Sequence, residues 1–163
     1  MQKAPNHKDE EKRINALQNL KLLDTKVEER FDKITKEAVK RFSVPISTIT
    51  LVDKDREWFK SVQGLPTREG PRDISFCSHA LVSDVMMIVE DASLDPRFSD
   101  NPMVIGGPNI RFYAGKSLYD KKTSLPVGVF CIKDNKPRKM SLSEISDFLD
   151  LANKAEDEIN RSN

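Results

Sequence analysis

Between residues 8 and 23, apolar side chains recur at Ile14, Leu17, Leu20 and Leu23 among charged neighbours, a spacing that predicts a helix. Asp24-Thr25 interrupts the pattern. Thr25 and Glu28 stand at capping-box spacing, where a hydroxyl and a carboxylate each satisfy an orphan backbone N–H. Val27, Phe31, Ile34, Ala38 and Phe42 then fall on one stripe of a second helix, which Pro45 ends. From Ile46 the period changes to two. The β-branched run Ile46 to Val52 and the segment Glu57 to Val62, joined by Asp53-Lys54-Asp55, predict an antiparallel hairpin.

Gly64 to Asp73 is rich in Gly, Pro and charge and reads as loop, and Ser75 can cap a short helix after it. Met86 to Asp91 reads as a buried strand. Asp95-Pro96 reads as a helix start, and Asn101 to Asn109, with two prolines and two glycines, as loop. Ile110 to Leu118 and Val127 to Asp134 form a second hairpin around the polar turn Asp120 to Ser124. Ser141 and Glu144 make another capping box, and Ile145, Phe148, Leu149, Ala152 and Ile159 mark the core face of a last helix. Hairpins give antiparallel pairing, and helices at both ends of the chain can cover one sheet face together. The order predicts an α+β domain of three layers.

The 163 residues suit one domain, read as a flexible tail over 1–9 and a single folded unit over 10–163. With 27 basic and 26 acidic side chains, the chain lacks the basic excess of a nucleic-acid binder. Its longest apolar runs, Val85 to Val89 and Val127 to Ile132, fall far short of the roughly 20 residues of a membrane helix. The polar start carries no signal-peptide pattern, and two cysteines, Cys77 and Cys131, are too few for a disulfide framework. A cytoplasmic location is the expectation.

Several ordered motifs resemble the GAF family. They are Arg56-Glu57-Trp58-Phe59-Lys60-Ser61, Pro71-Arg72-Asp73-Ile74-Ser75-Phe76-Cys77-Ser78-His79-Ala80 and Val89-Glu90-Asp91-Ala92. Asp95-Pro96-Arg97-Phe98-Ser99-Asp100-Asn101-Pro102, Ile110-Arg111-Phe112-Tyr113-Ala114-Gly115, Val127-Gly128-Val129-Phe130-Cys131-Ile132 and Pro137-Arg138 continue the match. The resemblance runs from about residue 10 to the end. It implies a central antiparallel sheet of five or six strands, with the N- and C-terminal helices on one face. On the other face it implies a pocket enclosed by short helices and loops. GAF domains of this kind sit upstream of histidine kinases, diguanylate cyclases or phosphotransferase proteins and often pair through their end helices. A downstream effector is therefore expected, and the ending Arg161-Ser162-Asn163 suits a fragment of a longer protein.

The pocket candidates are Phe76, Cys77, His79, Asp91, Phe98, Arg111 and Tyr113. Two cysteines and two histidines are too few for a structural zinc site, and no metal is expected. His79 follows Cys77 by two positions, which on a helix points it elsewhere, so no catalytic thiol–base pair is expected. Bilin-binding relatives place the histidine directly after the cysteine, whereas Ser78 intervenes here, and neither cysteine matches the relay of the free-methionine-sulfoxide reductases. Cys77 reads as buried and His79 as hydrogen-bonded at the pocket rim. Arg111 and Tyr113 share a strand face; Arg111 could grip an anionic ligand or form an ion pair with Asp73, Asp91 or Asp95. Trp58 and Phe59 face opposite ways, so at most one lines a given pocket, and Phe98 is a lid candidate. Gly115-Lys116-Ser117 lacks the earlier glycine and following helix of a P-loop.

Leu20, Leu22, Leu23, Leu142, Leu149 and Leu151 give the terminal helices more apolar surface than one stripe needs, and a homodimer through those helices is expected. The functional expectation is a small-molecule-binding sensory module without catalytic residues or a resident cofactor. A ligand-free dimerisation scaffold and a thiol switch or redox enzyme using Cys77 are the rivals.

Overall fold

The computed structural model describes residues 1–161, so the expectation attached to Ser162 and Asn163 lies outside the described residues. Two helices open the fold, α1 (Glu10–Asn19) and α2 (Glu29–Phe42), followed by the hairpin β1 (Ile46–Val52) and β2 (Arg56–Gln63). A short strand β3 (Glu69–Pro71), helix α3 (Phe76–Leu81), strand β4 (Met87–Val89) and helix α4 (Pro102–Ile105) come next. The second hairpin, β5 (Phe112–Asp120) and β6 (Leu125–Asp134), leads to α5 (Leu142–Ile159). All strand pairs are antiparallel, in the order β3-β2-β1-β6-β5-β4.

Period-two patterning puts alternate residues of each strand on opposite faces, and both faces are buried. One face carries Ile49, Leu51, Trp58, Phe112, Phe130 and Ile132 against Leu17 of α1, Phe31 and Ile34 of α2, and Phe148 and Leu151 of α5. The Phe130 and Phe148 rings lie 5.0 Å apart at the centre of that core. The other face carries Val52, Tyr113, Val129 and Cys131 beneath Phe76, Cys77, Ala80 and Leu81 of α3, with Phe98 and Val104 farther along. The sheet thus separates a core under the chain ends from a second core under residues 72–110.

Local expectations hold where a side chain has no competing partner. Ser75 accepts a hydrogen bond from Ser78 N at 3.2 Å and caps α3, and Ser141 and Glu144 form the full capping box of α5. The Thr25–Glu28 box does not form, because buried Lys60 claims both residues. Its ammonium donates to Thr25 Oγ1 at 2.8 Å and pairs with Glu28 at 2.7 Å, and α2 starts only at Glu29, without a side-chain cap. The first helix stops at Asn19 rather than residue 23, and Lys21 and Asp24 take positive φ values of 56° and 61° in the turn after it. Asp95-Pro96 starts only a turn: Asp95 caps it by accepting from Arg97 N at 2.9 Å, but the segment 96–100 does not extend into a helix. Asn101 instead caps α4 inside the segment read as loop, with Pro102 at its first position. Residues 69–71, also read as loop, pair with β2 as an edge strand. The final helix ends at Ile159, short of the chain end.

Residues 1–9, expected as a free tail, lie across α3 and the 95–100 turn. Gln2 N donates to Arg97 O at 3.2 Å, Gln2 O meets His79 Nε2 at 2.9 Å, and Lys3 pairs with Asp73. Among the leucines expected to face a second copy, Leu22 and Leu151 are buried, and Leu20, Leu23 and Leu149 pack against the same core. Leu142 is 87% exposed.

Candidate functional site

The sheet face turned away from the terminal helices is the candidate site, and strand register lays out its floor. Three rows cross β5, β6 and β1: Tyr113, Lys133 and Ile46; Gly115, Cys131 and Thr48; Ser117, Val129 and Thr50. Glu57 of β2 extends the floor beside Val52. This is a polar floor under an apolar cover, and almost all of it is closed to solvent. Thr48, Thr50, Cys131 and Tyr113 are 0% exposed, Lys133 1% and Glu57 3%.

A chain of hydrogen bonds crosses the floor. The Tyr113 hydroxyl donates to Cys77 Sγ at 3.2 Å, and the Cys77 thiol donates to Thr50 Oγ1 at 3.7 Å. Thr50 and Thr48 share a hydroxyl hydrogen bond at 2.7 Å, and Thr48 Oγ1 lies 3.0 Å from Cys131 Sγ. Tyr113 can lie along the sheet because Gly115, two positions on and on the same face, has no Cβ; a Cβ there would run into the Tyr113 ring. Ser75 joins the edge of the network by donating to Glu57 Oε1 at 3.0 Å. Ser117 Oγ is buried and has no hydrogen-bond partner.

Electrostatics follow from burial. Burial, reinforced by the neighbouring thiols, pushes the Tyr113 phenol and the Cys77 thiol well above their ordinary values. Burial works to raise the Cys131 thiol as well. The Cys77 hydrogen bond, the Lys133 ammonium and the Thr48 hydroxyl outweigh it and hold Cys131 below the usual thiol value. Lys133 stays charged against the same desolvation, because Cys131, Glu57 and Cys77 stabilise its positive form. Among the described residues, no carboxylate forms an ion pair with Lys133, whose ammonium lies 5.9 Å from the centre of the Tyr113 ring.

The cover is an aromatic plug. Phe76 and Phe98 stack at 4.1 Å, and Tyr113 lies 5.3 Å from Phe76. Four of the seven candidate residues therefore meet here: Phe76, Cys77, Phe98 and Tyr113. His79 stands at the rim, edge-on to Phe98 at 4.8 Å, with its imidazole pKa lowered by burial and its Nε2 on Gln2 O, away from Cys77. Asp91 lies outside the floor and accepts from Ser93 at the start of a short turn. Arg111 forms no ion pair with Asp73, Asp91 or Asp95. It donates to the backbone carbonyls of Val104 and Ile110 at 2.8 and 3.0 Å and braces α4. Trp58 faces the helices and Phe59 the opposite side, as strand geometry requires.

Thr48, Thr50, Glu57, Cys131 and Lys133 were not among the pocket candidates read from the sequence. The signal lay in the alternation of the two central strands, where these polar residues share a face with Val52 and Val129 rather than pointing to solvent. The enclosed chamber expected over this floor is filled in the structure by Phe76, Cys77 and Phe98, each no more than 1% exposed.

An ionic clamp links the cover to the helical layer. Glu10 of α1 accepts from Arg72 Nη1 at 2.6 Å and from Arg13 at 2.8 and 2.9 Å. Arg13 is fully buried and also donates to Val52 O at 2.8 Å. Arg72 opens the short turn that leads into α3, so one carboxylate ties the first helix to the start of the cover. Burial opposes its ionisation, but the two guanidiniums hold its pKa down at about 2.

No group of three or more His, Cys, Asp or Glu side chains among the described residues stands close enough together to hold a metal ion. No helix among them is long and apolar enough to cross a membrane.

A six-stranded antiparallel sheet, with the terminal helices on one face and short helices on the other, defines an α+β domain. The GAF domain family model matches residues 26–159, and the chain belongs to that family. It is 41% identical over 138 residues to a cyclic di-GMP phosphodiesterase of Pseudomonas aeruginosa, covering 85% of this chain and 23% of that protein. The chain thus spans about a quarter of that relative's length. Among solved structures, the fold is similar to a type II free methionine-R-sulfoxide reductase from Thermoplasma acidophilum, with a TM-score of 0.65 and 10% identity over 88% of this chain and 94% of that one. It is also similar to the GAF domain of an Acinetobacter phosphoenolpyruvate-protein phosphotransferase, with a TM-score of 0.63 and 16% identity over 91% and 92% of the two chains. At such identities these two likenesses concern the fold alone.

Proposed function

We propose that this GAF domain is the sensory or regulatory input of a signalling protein. Its input is a small polar molecule received on the sheet face beneath residues 72–110. Catalysis lies outside it, in an attached effector. The observation that carries this reading is the buried hydroxyl of Ser117, left without a partner on the same face as Thr50, Cys131 and Lys133. Buried polar atoms in proteins are almost always satisfied, and leaving one unmade costs about 1–3 kcal/mol. An incomplete polar floor under a cover of short elements suits a ligand that supplies the missing bonds.

The route outward is the Glu10 clamp, which makes α1 sense any shift of Arg72 and hence of α3. Such coupling requires the ligand to favour one arrangement by real differential affinity. An attached effector agrees with the relative from Pseudomonas aeruginosa, of which the matched region is a minor part.

The experiment is thermal unfolding across amino acids, nucleotides and organic acids, with the wild type and with Phe98→Ala, which removes part of the plug. A true ligand at 100 times its dissociation constant adds about 2.7 kcal/mol. It should stabilise Phe98→Ala at a lower concentration than the wild type. If no compound stabilises either protein, the sensor reading fails.

A further inference from the structure

Cys77 and Cys131 belong to different elements, α3 and β6, yet they pack in one buried cluster and are joined through the hydroxyls of Thr50 and Thr48. Lys133 lies two residues beyond Cys131 on the same strand, so its side chain emerges on the same face. It is 1% exposed and has no carboxylate in ion-pair contact. A buried lysine in that position needs a counter-charge, and isolated buried charges are among the most unfavourable groups in a protein. The charged or titratable groups facing the Cys131 sulfur are Lys133 from its own strand, Cys77 from α3, Tyr113 from β5 and Glu57 from β2. Glu57 accepts from Ser75 and, together with Cys131, supplies negative field at Lys133, while the Tyr113 hydroxyl donates a hydrogen bond to Cys77.

We propose that Cys131 and Cys77 are a reactive dithiol, with the Cys131 thiolate paired to Lys133 as nucleophile and Cys77 as its resolving partner, oxidised by hydroperoxides to a disulfide that ties α3 to β6. The inference goes beyond the ligand-sensing reading and does not depend on it. Burial alone would raise both thiols and keep them inert; the fields of Lys133 and Thr48 act on Cys131 in the opposite direction.

In the first step the Cys131 thiolate attacks one oxygen of the hydroperoxide. The attacked oxygen is the terminal, hydroxyl-bearing one; the O–O bond breaks, the departing alkoxide takes a proton from water to become an alcohol, and Cys131 becomes a sulfenic acid. In the second step the Cys77 sulfur attacks the Cys131 sulfur. The S–S bond forms, the S–O bond breaks, and the leaving hydroxide takes the Cys77 proton to become water. The two thiols lose two electrons and the hydroperoxide gains them. Both sulfurs are 0% exposed, so the oxidant reaches them only when the cover lifts, and the disulfide then fastens the cover to the sheet.

The test is intact-mass and peptide analysis of wild type and Cys77→Ser after exposure to a hydroperoxide, with the 13Cβ shift of Cys131 followed against pH. The wild type should lose two hydrogens and yield a linked Cys77–Cys131 peptide. Cys77→Ser should instead carry Cys131 on to the sulfinic acid. The Cys131 titration should move to higher pH in Lys133→Met. A wild type whose mass never changes, or whose Cys131 is over-oxidised as readily as in Cys77→Ser, overturns the proposal. So does a Cys131 shift that stays at the thiol value through neutral pH in the wild type, a measurement that stands even if Lys133→Met fails to fold.

Discussion

Replacing Glu10 by glutamine keeps the shape of the clamp and removes its charge. Arg72 then loses its anion, and Arg13, which is 0% exposed, is left with neutral acceptors alone, among them the Val52 carbonyl. The Glu10 pKa falls from its ordinary 4.5 to about 2 in the folded protein, with burial opposing and the two guanidiniums driving the change. A lowering of that size converts to about 3 kcal/mol. Because the Glu10 side chain keeps 21% of its accessible surface, solvent screening reduces this to about 2 kcal/mol. The folded-state pKa is depressed, so the unfolded chain binds more protons between the two values and stability rises with pH there. The clamp's contribution is complete above the ordinary carboxylate value and is lost as pH falls from about 4.5 towards 2. Urea unfolding of wild type and Glu10→Gln should show a gap of about 2 kcal/mol at pH 7 that shrinks steadily across that acid window. A gap below about 0.5 kcal/mol at pH 7, the scale of an exposed surface pair, would refute the clamp. A gap that stayed constant with pH would show that shape rather than charge was lost.

Other substitutions probe the cover and its floor. Phe98→Ala removes a ring stacked at 4.1 Å on Phe76 and should destabilise by about 3–4 kcal/mol in chemical denaturation; a small effect would mean that the plug is loosely packed. Gly115→Ala drives a methyl into the Tyr113 ring and should destabilise by about 1–3 kcal/mol, with a changed near-ultraviolet tyrosine signal as the check. Ser117→Ala should raise stability by about 1 kcal/mol, because it deletes a buried hydroxyl without a partner; a loss of stability would show that the hydroxyl is satisfied in solution. Ser75→Ala removes both the cap of α3 and the hydrogen bond to Glu57, and should lower the denaturation midpoint by an amount equivalent to about 1–2 kcal/mol.

Regular periodicity made most of the architecture legible. The two hairpins, the apolar stripe of α2 and the Ser141–Glu144 box are local signals without strong competitors. Where long-range contacts bid for the same groups, the local reading failed. Thr25 and Glu28 have the spacing of a capping box, but Lys60, 35 and 32 residues away in sequence, is buried beside them and binds both. Asn101-Pro102 is as good a helix start as Asp95-Pro96. Both side chains accept from the backbone N–H two residues on, and only the structure shows that the segment after Asp95 stays a turn while Asn101 caps α4. At the site, Phe76, Cys77, Phe98 and Tyr113 were legible from motif and alternation. The bracing contact of Arg111 with Val104 was not legible, because backbone carbonyls are invisible as partners in a sequence. Lys133 and Glu57 escaped notice, since charged residues in strands normally face water, and only the three-layer arrangement puts this face inside.

The central claim is that residues 72–110 form a separately movable cover, linked through Glu10 to the helical layer on the other side of the sheet. Native-state hydrogen exchange measures this directly, without a ligand in hand. Amides of α3, β4 and α4 should open at a free energy several kcal/mol below that of β1 and β6, and Glu10→Gln should lower that opening energy further. Exchange of the cover in step with the central strands, unchanged by Glu10→Gln, would contradict the account.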